Sequence, residues 1–94
     1  MIKPRKPPAV HPGEILQELL EQHKLSQSEL ARHLRTSPAY INDVCRGRRN
    51  ITVELAVKLG KAFRQNPEFW INMQTSWDLQ HAGEFDIKPL KLSA

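Results

Sequence analysis

The sequence predicts an all-α fold of five short helices, and three observations carry that prediction. Apolar residues recur at spacings of three and four, as in Ile15, Leu16, Leu19 and Leu20 or Leu55, Ala56, Leu59 and Phe63, which lines up one face of a 3.6-residue helix. Helix-starting residues stand before or at the head of each run: Pro12, Ser26, Thr52, and the pairs Ser37-Pro38 and Asn66-Pro67. No stretch alternates strictly enough to serve as a central strand, and there is no internal repeat.

Residues 1–10, "MIKPRKPPAV", set Pro4, Pro7 and Pro8 among Lys3, Arg5 and Lys6 and read as a flexible, extended basic arm. The folded domain spans residues 11–82. Its first helix starts at Pro12, which suits a first helical position, places Glu14 at the positive end of the helix dipole, and runs to about His23. Ser26 with Glu29 forms an S-x-x-E capping box for a short second helix whose buried stripe is Leu30, Ala31 and Leu34. Ser37 and Pro38 start a third, with Ile41 and Val44 on its inner edge, and Gly47 ends it where a left-handed residue is needed. Thr52 caps the fourth.

Asn66 and Pro67 open the fifth helix, which bears Phe69, Trp70, Met73 and Trp77 at spacings of three and four. That stripe is heavier than one helix of so small a domain needs for its own core. It therefore reads as a homodimer interface, with intramolecular packing as the alternative. Residues 83–94 alternate weakly around Pro89 and read as an extended tail with the character of a short edge strand.

Ninety-four residues support one core. No apolar run approaches the roughly 18 residues of a membrane span, so no membrane partner is expected. The N-terminus lacks the apolar stretch of an export signal, and the single cysteine, Cys45, allows no internal disulfide, so a cytoplasmic location is expected. Net charge is +4, and residues 32–49 carry five arginines (Arg32, Arg35, Arg46, Arg48, Arg49) against Asp43, so one short window equals the whole surplus. Focused charge of this kind fits a phosphate-facing surface or a solvated cationic face. An enzyme is not expected. His11, His23, His33 and His81 lack metal-ligand spacing, Cys45 has no partner close in sequence, and the four glycines form no phosphate-cradling loop; no cofactor is implied.

The linker "RTS" between Leu34 and Pro38 joins two short helices in the manner of a helix-turn-helix, whose second helix enters the major groove of DNA. Ala31 is small enough for the two helices to pack closely. Ile41 and Val44 face inward and leave Ala39, Tyr40, Asn42 and Asp43 on or near the outer face. Arg46, Arg48 and Arg49 then meet the flanking phosphates. Pro38 and Ala39 offer bases no hydrogen bond, which leaves direct readout to Asn42 and Tyr40, with Asp43 suited only to a cytosine amine.

"LSQSELARHLRTSPAYINDVCRGRRNIT" resembles the phage-repressor-like helix-turn-helix family at Gln27, Leu30, Ala31, Leu34, Ser37, Ile41, Val44 and Gly47. The flanking "HPGEIL", "GRRNIT" and "NPEFWINMQTSWDL" narrow the resemblance, over about residues 11 to 80, to the HigA/VapI antitoxins, the DNA-binding halves of HigB–HigA toxin–antitoxin pairs. It implies a homodimeric autorepressor that binds its operator DNA and neutralises a RelE/HigB-like toxin, a ribosome-dependent mRNA-cleaving enzyme. It also implies a phosphate contact for Gln27 and groove-facing positions for Pro38, Ala39, Asn42 and Asp43. The candidate DNA-binding set is Gln27, Ser37, Pro38, Ala39, Tyr40, Asn42, Asp43, Arg46, Arg48 and Arg49. Arg35 and Thr36 stand where the family has Gly and Val, which predicts left-handed strain at Arg35. A basic toxin would dock on the acidic stripe Glu14, Glu18 and Glu21 or on residues 85–92. A solitary regulator without a toxin is the alternative function.

Overall fold

Side-chain caps start every helix of the structure, a computed structural model that describes residues 8–93. The helices are α1 (Pro12–Gln22), α2 (Gln27–Leu34), α3 (Pro38–Cys45), α4 (Val53–Phe63) and α5 (Pro67–Gln80). Ser26 and Glu29 form the reciprocal capping box, while the Ser37 hydroxyl accepts from the Tyr40 amide, Thr52 from Leu55 and Asn66 from Glu68. Each such cap satisfies a backbone donor that the helix cannot, and is worth about 1 kcal/mol. The cap of α1 is less expected: His11 Nδ1 accepts from the Gly13 amide at 2.9 Å.

Left-handed residues end two of the helices. Arg35 closes α2 at φ 59° and ψ 46°, as the missing glycine predicted, and Arg64 closes α4 at φ 55° and ψ 49°. Lys24, after α1, has φ 54°. None of these three is a glycine, so each carries a steric cost of about 1 kcal/mol or more. Gly47 takes φ 75° after α3, where the backbone freedom of glycine is used.

One core unites all five helices. Leu16 and Leu20 of α1, Leu30, Ala31 and Leu34 of α2, Ile41 and Val44 of α3, and Leu55, Ala56 and Leu59 of α4 are buried together with Ile51 and Trp70. α1 crosses α3 so closely that a Cβ on Gly13 would overlap the Val44 carbonyl oxygen. The loop after α4 also passes the helix end tightly, since a Cβ on Gly60 would stand 2.7 Å from the Gln65 carbonyl oxygen.

One sequence expectation is corrected here and one is narrowed. Trp70, placed in the dimer stripe, is fully buried, and its indole N–H donates to Gln65 Oε1 at 3.0 Å, so it belongs to the core and has no surface for a partner. Among the described residues the tail forms no strand, because no second strand is present to pair with it. Phe85, Ile87, Leu90 and Leu92 in it are each at least 75% exposed. Residues 1–7 of the basic arm lie outside the described residues.

Candidate nucleic-acid interface

α2 and α3 are joined by a turn that the backbone itself holds: the Thr36 amide donates to the Ala31 carbonyl at 2.9 Å and the Arg35 amide to that of Arg32. Ala31 is completely buried, so the two helices meet at the one side chain short enough to permit it. Burial of Ile41 and Val44 on the inner edge of α3 fixes its rotation. Ser37, Pro38 and Ala39 are consequently exposed at its N-terminal end, while Tyr40, Asn42 and Asp43 are half-buried along its flanks.

The polar groups of this face form a relay across three helices. Asn42 Nδ2 donates to Gln27 Oε1 at 2.9 Å, and Gln27 Nε2 donates to Gln17 Oε1 at 3.0 Å. Gln27 thus stands at the head of α2 with its amide held from both sides, and it orients Asn42 with one free carbonyl oxygen. The carboxamide of Asn is the side chain that reads adenine by paired hydrogen bonds. Gln17 was not singled out from the sequence. Its only signal is a glutamine beside the buried Leu16 on a helix whose remaining polar residues are exposed.

The cationic exit of α3 is organised by Asp43. Its carbonyl accepts from the Arg48 amide at 2.8 Å and from the Arg49 amide at 3.3 Å, so the turn after Gly47 folds back onto the helix. Its carboxylate stands 3.6 Å from Arg49 Nε, and the Arg49 guanidinium lies 5.6 Å above the Tyr40 ring. Arg49 is therefore drawn along the flank of α3, while Arg46 and Arg48 are exposed and have no ion pair with a described residue. An exposed pair of this kind contributes about 1 kcal/mol or less, which a phosphate can match. Asp43 thus supports the arginine turn through both its carbonyl and its carboxylate.

Cys45 is half-buried at the end of α3, and burial pushes its thiol up to about 11, out of the range of a nucleophile at neutral pH. No group of three His, Cys, Asp or Glu residues among the described residues is arranged to hold a metal ion. No described helix is long and apolar enough to cross a membrane.

α5 carries the remaining candidates. Phe69 is exposed and Met73 half-buried, and together with Val10 and Ile15 they line an apolar depression between α1 and α5. Trp77 is half-buried elsewhere: the His11 ring meets it edge-on at a centroid distance of 5.1 Å and His81 stacks on it at 3.9 Å. The structure thus brings Phe69 and Met73 together at the surface, with the Phe69 ring edge-on to the buried Trp70 at a centroid distance of 5.2 Å, while Trp77 does not line that depression. Gln74, also unforeseen, is buried with Oε1 accepting from the Ile51 amide at 2.6 Å. Its place four residues after Trp70 is the signal that would have found it.

A helix-turn-helix family model matches residues 16–70, which span α2, α3 and α4 entirely and much of α1. The chain belongs to the helix-turn-helix family. It is accordingly a DNA-binding transcriptional regulator and not an enzyme. Virulence-associated protein I of Dichelobacter nodosus is 45% identical over 76 residues, covering 80% of this chain and 70% of the relative. Pseudomonas aeruginosa antitoxin HigA, solved with the higBA promoter, superimposes with a TM-score of 0.81 at 36% identity over 88% of this chain and 99% of its own. An addiction module antidote protein of the HigA family from Coxiella burnetii gives a TM-score of 0.73 at 40% identity over 79% and 82% of the two chains. These helix-turn-helix proteins share the five-helix architecture and not merely the DNA-reading pair.

Proposed function

We propose that this protein is the antitoxin of a type II toxin–antitoxin pair, a homodimer that represses its own operator and binds and neutralises a RelE/HigB-like mRNA-cleaving toxin in the cytoplasm. The observation that carries the DNA half is the Gln17–Gln27–Asn42 relay beside the exposed Arg46 and Arg48, which sets one oriented base reader next to phosphate-facing cations. Likeness to HigA over nearly the whole of that chain supports the toxin-binding half. The apolar depression lined by Phe69 and Met73 supports the homodimer by offering a face for a second copy, and one α3 covers too few base pairs for useful specificity, so two copies would sit about 34–36 Å apart.

Glu14, Glu18 and Glu21 are all exposed on α1 and remain the docking surface proposed for a basic toxin; residues 85–92 are the rival. The experiment is co-expression and copurification with the product of the neighbouring gene, combined with operator titration. The antitoxin should capture that product and restore growth, and Arg48→Ala should weaken binding to operator and random duplexes alike. A protein that binds operator but captures no neighbour is the solitary regulator instead. One that binds operator and random DNA equally refutes specific readout.

A further inference from the structure

An apolar groove of about 580 Å³ opens between α2 and the C-terminal end of α4, floored by Leu25, Leu30, Ala62 and Phe63. That volume is within the range of cavities that bind a ligand. Its rim is cationic: Arg32 and His33 line it, and the exposed Lys24, Lys61 and Arg64 adjoin the floor residues in sequence. The lining acid, Glu29, already accepts from the Ser26 amide. Such a groove suits an occupant that carries apolar side chains and carboxylates together. The tail has that composition at Glu84, Phe85, Asp86 and Ile87, and all four are exposed. In the free chain a hydrogen bond from the Ile87 amide to the Phe85 carbonyl at 2.9 Å bends the segment at Asp86. Straightened, it sets Phe85 and Ile87 on one side and Glu84 and Asp86 on the other.

The tail cannot bring Phe85 to the groove of its own chain. Trp70 bonds Gln65, just past α4, whereas Gln74 bonds Ile51 at the opposite end of α4, so α5 starts beside the groove and runs away from it. Its 14 residues span about 21 Å. Phe85 follows Gln80 by five residues and reaches back at most about 18 Å. A second copy meets the requirement. The α5 residues of the depression proposed as the dimer face, Phe69, Asn72, Met73 and Ser76, are centred between Asn72 and Met73, so antiparallel two-fold pairing there sets residue 80 of one copy opposite residue 65 of the other. A second copy's tail is thereby delivered beside Gln65, two residues from Phe63. We propose that residues 84–87 of each copy dock in the other copy's groove between α2 and α4, with Phe85 and Ile87 on the apolar floor and Glu84 and Asp86 against the cationic rim. This rests on the homodimer proposed above, adds a second contact to it, and leaves Glu14, Glu18 and Glu21 rather than the tail to a toxin.

The test places a nitroxide on Lys88→Cys in a Cys45→Ser background and mixes that full-length chain with isotope-enriched chain of the parent sequence. Amide signals of Leu25, Arg32, Ala62 and Phe63 in the enriched chain should broaden, since only another copy's tail carries the nitroxide. Adding Phe85→Ala and Ile87→Ala to the nitroxide chain should remove the broadening. Without the nitroxide, that double variant should raise the dimer dissociation constant at least about tenfold in sedimentation while keeping the parent's thermal melt. Broadening seen only within a chain that carries both nitroxide and isotope would put the tail on its own body. An undisturbed groove in a parent that sediments as a dimer would leave the tail undocked; either result overturns the inference and spares the homodimer. Groove signals that move only when the neighbouring gene's product is added would give the groove to that protein and overturn it as well. A parent that sediments as a monomer refutes the homodimer, and this inference with it.

Discussion

Gln17 lies on α1, outside the helix-turn-helix pair, yet its removal should weaken operator binding. In Gln17→Ala the Gln27 amide loses its 3.0 Å acceptor while keeping the 2.9 Å bond from Asn42. One part-buried neutral hydrogen bond is worth about 0.5–1.5 kcal/mol net. If all of it serves to hold Gln27 and thereby Asn42 for the bases, operator affinity falls by about two- to tenfold. Random-sequence affinity should fall less, since Arg46 and Arg48 are untouched and only the phosphate contact implied for Gln27 is disturbed. The assay is fluorescence anisotropy on operator and scrambled duplexes at one salt concentration, for Gln17→Ala, Asn42→Ala and the double variant. Relayed positioning requires a coupling of about 0.5 kcal/mol or more between the two sites. Effects that add to within about 0.3 kcal/mol, or an equal loss on both duplexes, would refute the relay.

Gly13→Ala should destabilise the domain by more than about 2 kcal/mol, because its Cβ would overlap the Val44 carbonyl and force α1 from α3; thermal melting should show a fall of about 8 °C or more. Trp70→Ala should cost about 3–5 kcal/mol as a core cavity, whereas Phe69→Ala should cost only about 0.5–1.5 kcal/mol, from its edge-on contact with Trp70, and shift the sedimentation profile from dimer to monomer. Stability should decline as pH falls below about 6.5. Burial lowers the His11 pKa in the native state, partly countered by Asp78 and Glu14, so the unfolded chain binds the proton first, and protonation also removes the acceptor for the Gly13 amide. His11→Asn, which keeps a capping group, should remove that part of the pH dependence in denaturant titrations; a parent and variant with parallel curves would refute it.

Helix starts were legible because their signals are local. Ser26, Ser37, Thr52 and Asn66 each bond an amide two or three residues away, so residue type and spacing suffice. The left-handed Arg35 was legible as a departure from a family pattern, but Lys24 and Arg64 have no such mark and take their conformation from what the flanking helices impose. The same limit explains Trp70. Spacing put it in line with Phe69, Met73 and Trp77, but helix rotation is set by what α4 and Gln65 offer, and that is a tertiary fact. The exposure of Arg46 and Arg48 and the outward flank position of Asn42 were readable from the helix period. Their support by Gln17 was not, since that bond crosses between α1 and α2, whose docking the sequence leaves open, whereas the Asp43 carbonyl bonds are local to the turn that Gly47 marks.

The five caps also bear on how the chain finds its fold. His11, Ser26, Ser37, Thr52 and Asn66 each close a loop of only two or three residues, and such loops close on the order of 10–100 ns or faster. Each helix can thus mark its own beginning before any distant partner arrives, and the late steps are the docking of α1 on α3 and of α5 on α4. Chains dominated by local contacts fold in microseconds to milliseconds. Refolding on that scale leaves little time with Trp70 and the leucine faces open to water, and where reclosing outpaces cleavage a protease meets only the small equilibrium population of open chains.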